Sequence, residues 1–132
     1  MPPTTVTMFV NGQAMSGGTL NDALSSARFI APVRTAPHYK FFSFGDVFPG
    51  LIRVPDGGWS VPGEIYEISY PELRERLLPR EPAELELSVI ELEDGSGSLS
   101  MVCRRTPTDG EAREIVAAGG WREHLRTLSS QT

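Results

Sequence analysis

The residues in this sequence that can do chemistry are few and widely spaced. One cysteine, Cys103, and two distant histidines, His38 and His124, cannot present the usual zinc-ligand set, so no metal and no cofactor is expected. The Walker and dinucleotide-binding fingerprints are absent too. Cys103 has no histidine close in sequence and shares an alternating face with Leu99 and Met101, which reads as a small core residue and not a nucleophile. His38 can act as an acid or base near neutral pH, but it follows Pro37 at a strand start, an exposed setting. Tyr39 is the better site candidate of the two, because a buried tyrosine must give its hydroxyl a partner; a core tyrosine with a satisfied hydroxyl is the plainer alternative. The remaining candidate is backbone. At Asn11-Gly12-Gln13-Ala14-Met15 a strand opens into a glycine-containing loop, whose unpaired N–H groups can hold an anion or a carboxylate. On spacing alone, an ordinary strand exit is the preferred reading of that loop.

The elements that must position these groups are short. Val6, Met8 and Val10 alternate with Thr5, Thr7 and Phe9 in a first strand, and Leu20 and Leu24 lie one turn apart in a short helix over the loop that follows. From Ala27 to Phe44, aromatic and β-branched residues punctuated by Pro32 and Pro37 predict two strands or one broken strand, with Tyr39 and Phe41 sharing a face. Leu51 to Val54, the Asp56-Gly57-Gly58 turn and Gly63 to Ile68 read as a hairpin with a loose turn. Ser69 with Glu72 forms a capping box, Pro71 suits a first helical turn, and a helix to about Leu78 is expected to stop at Pro79. The alternation over Glu84 to Leu87 leads into a strand to Leu92 with its acids toward water, and Asp94-Gly95 turns it back into Leu99 to Cys103. Trp121, His124, Leu125 and Leu128 fall on one face of a C-terminal helix, which gives His124 a structural place.

Length and composition bound the rest. The chain has 132 residues, enough for one core, with 13 Gly and 11 Pro favouring short elements and many turns; we read residues 1–128 as one α+β domain and 129–132 as a polar tail. The formal net charge of -5, without a dense Lys/Arg run, argues against a nucleic-acid partner. No apolar run reaches the length of a membrane span and no secretory signal precedes the first strand, so no membrane partner and a cytoplasmic location are expected.

The order of motifs resembles a known family. Phe9-Val10-Asn11-Gly12 with Met15-Ser16-Gly17 and Leu20-Asn21, then Arg34 to Tyr39, Pro49-Gly50, Arg53-Val54, Gly57-Gly58, Gly63 to Tyr66 and Gly119-Gly120-Trp121-Arg122 are together similar to the C-terminal domain of allophanate hydrolase, over about Val6 to Leu125. The resemblance implies the gamma-glutamylcyclotransferase-like fold, a small mixed β-barrel with short helices. It also implies that Asn11, Gly12, Gln13, Ala14 and Met15 form the substrate loop, with Gly50, Tyr39 and Tyr66 as further substrate-binding candidates. By position Glu81 matches the glutamate that serves as general acid and base in cyclotransferases, and a carboxyl in a partly apolar pocket suits that task.

Three residues depart from the family patterns: Ala14 stands where the allophanate-hydrolase domain usually carries a histidine, Arg104 follows Cys103 where a glutamate is expected, and Asn11 replaces a cyclotransferase tyrosine. The resemblance therefore implies a stand-alone, metal-independent cyclotransferase-like enzyme acting on a small amide or amine-bearing carboxylate. Two alternatives stand beside it: a non-catalytic metabolite-binding module partnering a separate amidase, and a decarboxylase of N-carboxycarbamate, against which Ala14 argues. The substrate's identity and the oligomeric state stay open.

Overall fold

The structure is a computed structural model that describes residues 4–129. The first three residues and positions 130–132 of the expected polar tail lie outside the described residues. Eight strands form one mixed, curled sheet, a half-barrel with short helices packed around it. They are β1 (Thr5–Val10), β2 (Arg28–Arg34), β3 (Tyr39–Phe44), β4 (Phe48–Arg53), β5 (Pro62–Ser69), β6 (Leu85–Glu91), β7 (Gly97–Cys103) and β8 (Arg113–Ile115). Their order is β2-β5-β1-β7-β4-β3-β8, with β6 paired to β7. The curl has a local cause: β7 pairs in parallel with β1 through Leu99 and Ser100 and with β4 through Val102, so two strands share one edge and splay apart. A bridge between Thr35 and Leu92 draws the end of β2 toward the end of β6.

The first strand lies inside this sheet. Met8, Phe9 and Val10 are buried on its two faces, and Leu51, Ile68, Leu77 and Trp121 complete the principal core. A second cluster of Phe44, Leu85 and Cys103 packs on the far side of β4, and burial there pushes the Cys103 thiol up to about 11, an inert setting.

Ser69 caps a short helical run as its spacing predicts, its hydroxyl accepting the Glu72 amide at 3.3 Å. The run opens as α1 (Tyr70–Glu72), widens to a π-turn over Leu73–Leu77 and tightens to a 3-10 turn at Leu78–Arg80. Pro79 therefore does not stop the helix; it sits in the first turn of the 3-10 segment, where no amide is needed. The C-terminal helix, α2 (Gly120–Ser129), buries Trp121.

Two expectations are corrected. β4 and β5 do not form a hairpin: β4 pairs with β3, and β5 pairs with β1 and β2. A tight turn at Gly45 and Asp46, closed by the Val47 amide donating to Phe44 at 3.1 Å, joins β3 to β4, whereas the longer segment before Pro62 is free to cross the sheet. In β6 the apolar side chains do not all face inward, for Leu87 and Val89 are exposed. That strand hangs on β7 beside the main path of the sheet, and Leu87, Ser88 and Val89 in its middle are all exposed.

Candidate functional site

The loop after β1 is fixed from behind. The Met15 amide donates to Gly12, the Leu20 amide to Gln13, and the side-chain amide of Asn21 to the carbonyl of Ala14 at 2.9 Å. The Gln13 side chain accepts from the Thr19 amide at 3.2 Å. Within the described residues no hydrogen bond uses the amide N–H of Gly12, Gln13 or Ala14. These three residues form one wall of a cavity of about 170 Å³, together with Asn11 and Leu20. The Asn11 side-chain nitrogen is also buried without a partner, which is costly unless a ligand or water satisfies it.

A second wall is the start of β4, contributed by Val47, Phe48 and Pro49. The two walls meet where Gly12 passes Pro49: a Cβ on Gly12 would lie 2.5 Å from the proline Cδ, so only glycine allows this approach. The third wall is the exit of the helical run, Arg80, Glu81 and Pro82, with Leu85 and Met101 beneath it. Glu81 leaves the 3-10 turn in an extended conformation, its amide still donating to Leu78 at 3.1 Å. Its carboxylate has no hydrogen-bond or ion-pair partner among the described residues, and burial raises its pKa to about 7. Arg80 does not neutralise it, because its guanidinium is engaged with Asp22 at 2.6 Å.

Glu81, Asn11, Gly12, Gln13 and Ala14 thus line one cavity. Met15, Gly50, Tyr39 and Tyr66 do not line it. Met15 is buried and faces a shallow groove beside Glu64 and Arg122. Gly50 lies behind the wall, where a Cβ would meet Cys103 Sγ at 2.7 Å and the Leu85 side chain at 2.9 Å. The Tyr39 hydroxyl accepts the Glu91 amide at 2.9 Å at the end of β6. Tyr66 donates to Glu64 at 3.2 Å and accepts from Asn21 at 3.1 Å, so its hydroxyl is spent on the back of the loop; burial first, and the Glu64 charge after it, raise its pKa. His38 sits 3.9 Å from Glu91, away from the cavity, and His124 pairs with Asp46.

The reading of residue types alone overlooked Glu64. Its carboxylate accepts the Ser16 amide and hydroxyl, each at 2.8 Å, and Arg122 at 3.1 Å. Burial opposes its ionisation, but these donors outweigh burial and leave its pKa lowered. A signal existed: with a period of two, Glu64 shares the face of Tyr66 and Ile68, and an acid on a core face requires a partner. Among the described residues no three His, Cys, Asp or Glu side chains come together in a way that could hold a metal ion. No helix among them is long and apolar enough to cross a membrane.

Comparison with known proteins agrees with the fold. The uropathogenic Escherichia coli protein c4763 is 37% identical, with a TM-score of 0.85, covering 92% of this chain and 96% of its own. Kluyveromyces lactis allophanate hydrolase superposes with a TM-score of 0.86 at 26% identity over 95% of this chain, which corresponds to 22% of that enzyme. A gamma-glutamyl cyclotransferase shares the fold, with a TM-score of 0.59 at 11% identity, over 86% of this chain and 73% of its own. Among curated proteins no sequence matches the chain. Residues 6–126 match the family described as the allophanate hydrolase C-terminal domain, and with that span the chain belongs to this family.

Proposed function

We propose that this protein is a gamma-glutamylcyclotransferase-like enzyme acting on a small amide that carries its own amine, with Glu81 as general acid and base. The observation that carries the reading is that Glu81, whose carboxyl has no partner among the described residues, lines one cavity with Gly12, Gln13 and Ala14, whose amides no hydrogen bond among those residues uses. A carboxyl with a pKa near 7 is divided between its two forms at neutral pH, so it can take a proton and return it. In the reaction the substrate amine attacks its own amide carbonyl, Glu81 accepts the amine proton, and the loop amides stabilise the oxyanion. The intermediate then expels the leaving amine, which takes the proton from Glu81, and a cyclic lactam remains.

The test is to incubate the protein with gamma-glutamyl amines and dipeptides and measure 5-oxoproline by mass spectrometry. Turnover by the native protein, reduced at least about 100-fold in Glu81→Gln with binding and fold retained, is the expected result. An unchanged rate in that variant rejects the role of Glu81. One observation favours a second reading, a metabolite-binding module that partners a separate amidase: neither histidine lines the cavity, and Ala14 is buried at the loop position of interest. Tight binding without product would select it. The same lack of a histidine argues against decarboxylation of N-carboxycarbamate.

A further inference from the structure

Helix α2 contributes nothing to the lining of the cavity, yet two of its side chains hold the two loops that do. Arg122 reaches the loop after β1, donating to the Ser16 carbonyl at 2.6 Å, the Ser16 hydroxyl at 3.1 Å and Glu64 at 3.1 Å. His124 reaches the β3–β4 turn, its Nε2 lying 2.8 Å from Asp46 Oδ1. Asp46 holds the left-handed conformation, φ 62°, uncommon for a residue with a side chain. Ser43 helps to keep it there, donating from its hydroxyl to the Asp46 carboxylate at 2.7 Å and accepting the Asp46 amide at 3.0 Å. The next residues, Val47, Phe48 and Pro49, are the second wall. The helix itself is seated by buried Trp121, whose ring lies 5.7 Å from that of His124, and by Glu123 accepting the Gly119 amide at 3.0 Å.

We infer that α2 is a clamp that sets the separation of the two cavity walls, with Arg122 and His124 as positioning residues for the site. Each side chain holds one wall from the outside, and the close passage of Gly12 along Pro49 makes a shift in either wall felt by the other. That this cavity is the working site rests on the function proposed above; the clamp itself is a statement about geometry and is tested separately.

The experiment uses the full chain with Arg122→Met, Arg122→Lys and His124→Phe. The phenylalanine keeps a ring beside Trp121 and removes only the bond to Asp46. Amide hydrogen exchange is followed at Met15, Ser16 and Leu20 in one wall and at Val47 in the other, with core amides of β1, β5 and β7 reporting whether each variant is folded. We expect exchange to rise at least about 10-fold at the first-wall amides in Arg122→Met and at Val47 in His124→Phe, with a smaller rise at the opposite wall, core amides unchanged and Arg122→Lys partly restored. Unchanged wall amides, or a uniform rise shared with the core, overturn the clamp. Carbon-13 titration of the Glu81 carboxyl separates the two ideas. A native midpoint near 7 that falls in the clamp variants supports both. A native midpoint near 4.5 removes the acid–base role, while the exchange pattern still decides the clamp.

Discussion

Glu64 and Glu81 both withdraw a carboxylate from bulk water, and the chain treats them in opposite ways. Around Glu64 it collects an amide, two hydroxyls and a guanidinium, and the charge is favoured. No donor of the described residues reaches Glu81, and burial in a mostly apolar cavity raises its pKa to about 7. The first arrangement fixes structure and the second leaves a proton to be exchanged. They are linked, because the loop that Glu64 pins through Ser16 also supplies Gly12, Gln13 and Ala14 to the cavity that Glu81 lines.

This contrast can be broken in stages. The largest loss should come from Glu64→Ala, which leaves the buried Tyr66 hydroxyl without its acceptor and strips the Ser16 amide and Arg122 of theirs; about 3 kcal/mol of stability is expected to disappear in urea unfolding. A loss below about 0.5 kcal/mol would show the network to be dispensable.

Glu81→Gln should act in the other direction. With a native pKa near 7 against an ordinary value of 4.5, the folded state binds the extra proton between these pH values, so native stability falls as pH rises through that window and levels off above it. The glutamine variant removes that slope and should be more stable than the native protein at pH 8 by up to about 3 kcal/mol, with no such gain at pH 4. Glu64, with its pKa lowered, gives the opposite slope: its contribution is complete above 4.5 and is lost as pH falls through its lower native value. Unfolding curves at several pH values that show no difference between Glu81→Gln and the native protein would remove the distinction drawn here.

Gly12→Ala is expected to cost about 1–3 kcal/mol, because the added methyl must displace Pro49 and part the two walls. Its effect on ligand affinity should exceed that of Asp22→Asn. The Asp22–Arg80 pair is exposed, and its removal is expected to leave the thermal midpoint nearly unchanged at physiological salt, a result that a melting curve checks directly.

Much of the fold was legible before any coordinates. The Ser69–Glu72 cap and the inward alternation of Tyr39 and Phe41 depend on residues within one turn or one pleat of each other, whereas Pro32 and Pro49 lie inside β2 and β4 and do not mark strand ends. The motif order led to the family that residues 6–126 match. The same order drew attention to the loop after β1 and to Glu81, because those segments are contiguous and carry their glycine, proline and acid in plain view.

What the sequence by itself determined, then, is the local grammar: where most of the segments extend, where the chain turns, where a helix is capped, and that the motifs in their order belong to one family. Tertiary structure alone decided which strands pair, sending β4 to β3 and β7 and β5 to β1 and β2. It also decided that Glu64 would meet Ser16 and Arg122, partners 48 and 58 positions away, and that Tyr39 and Tyr66 would give their hydroxyls to the scaffold and not to the cavity. The reason is physical. Periodicity and capping report interactions within a few residues, whereas a hydrogen bond across the barrel exists only once the curled sheet has brought distant segments together, and no local pattern records which of them will meet.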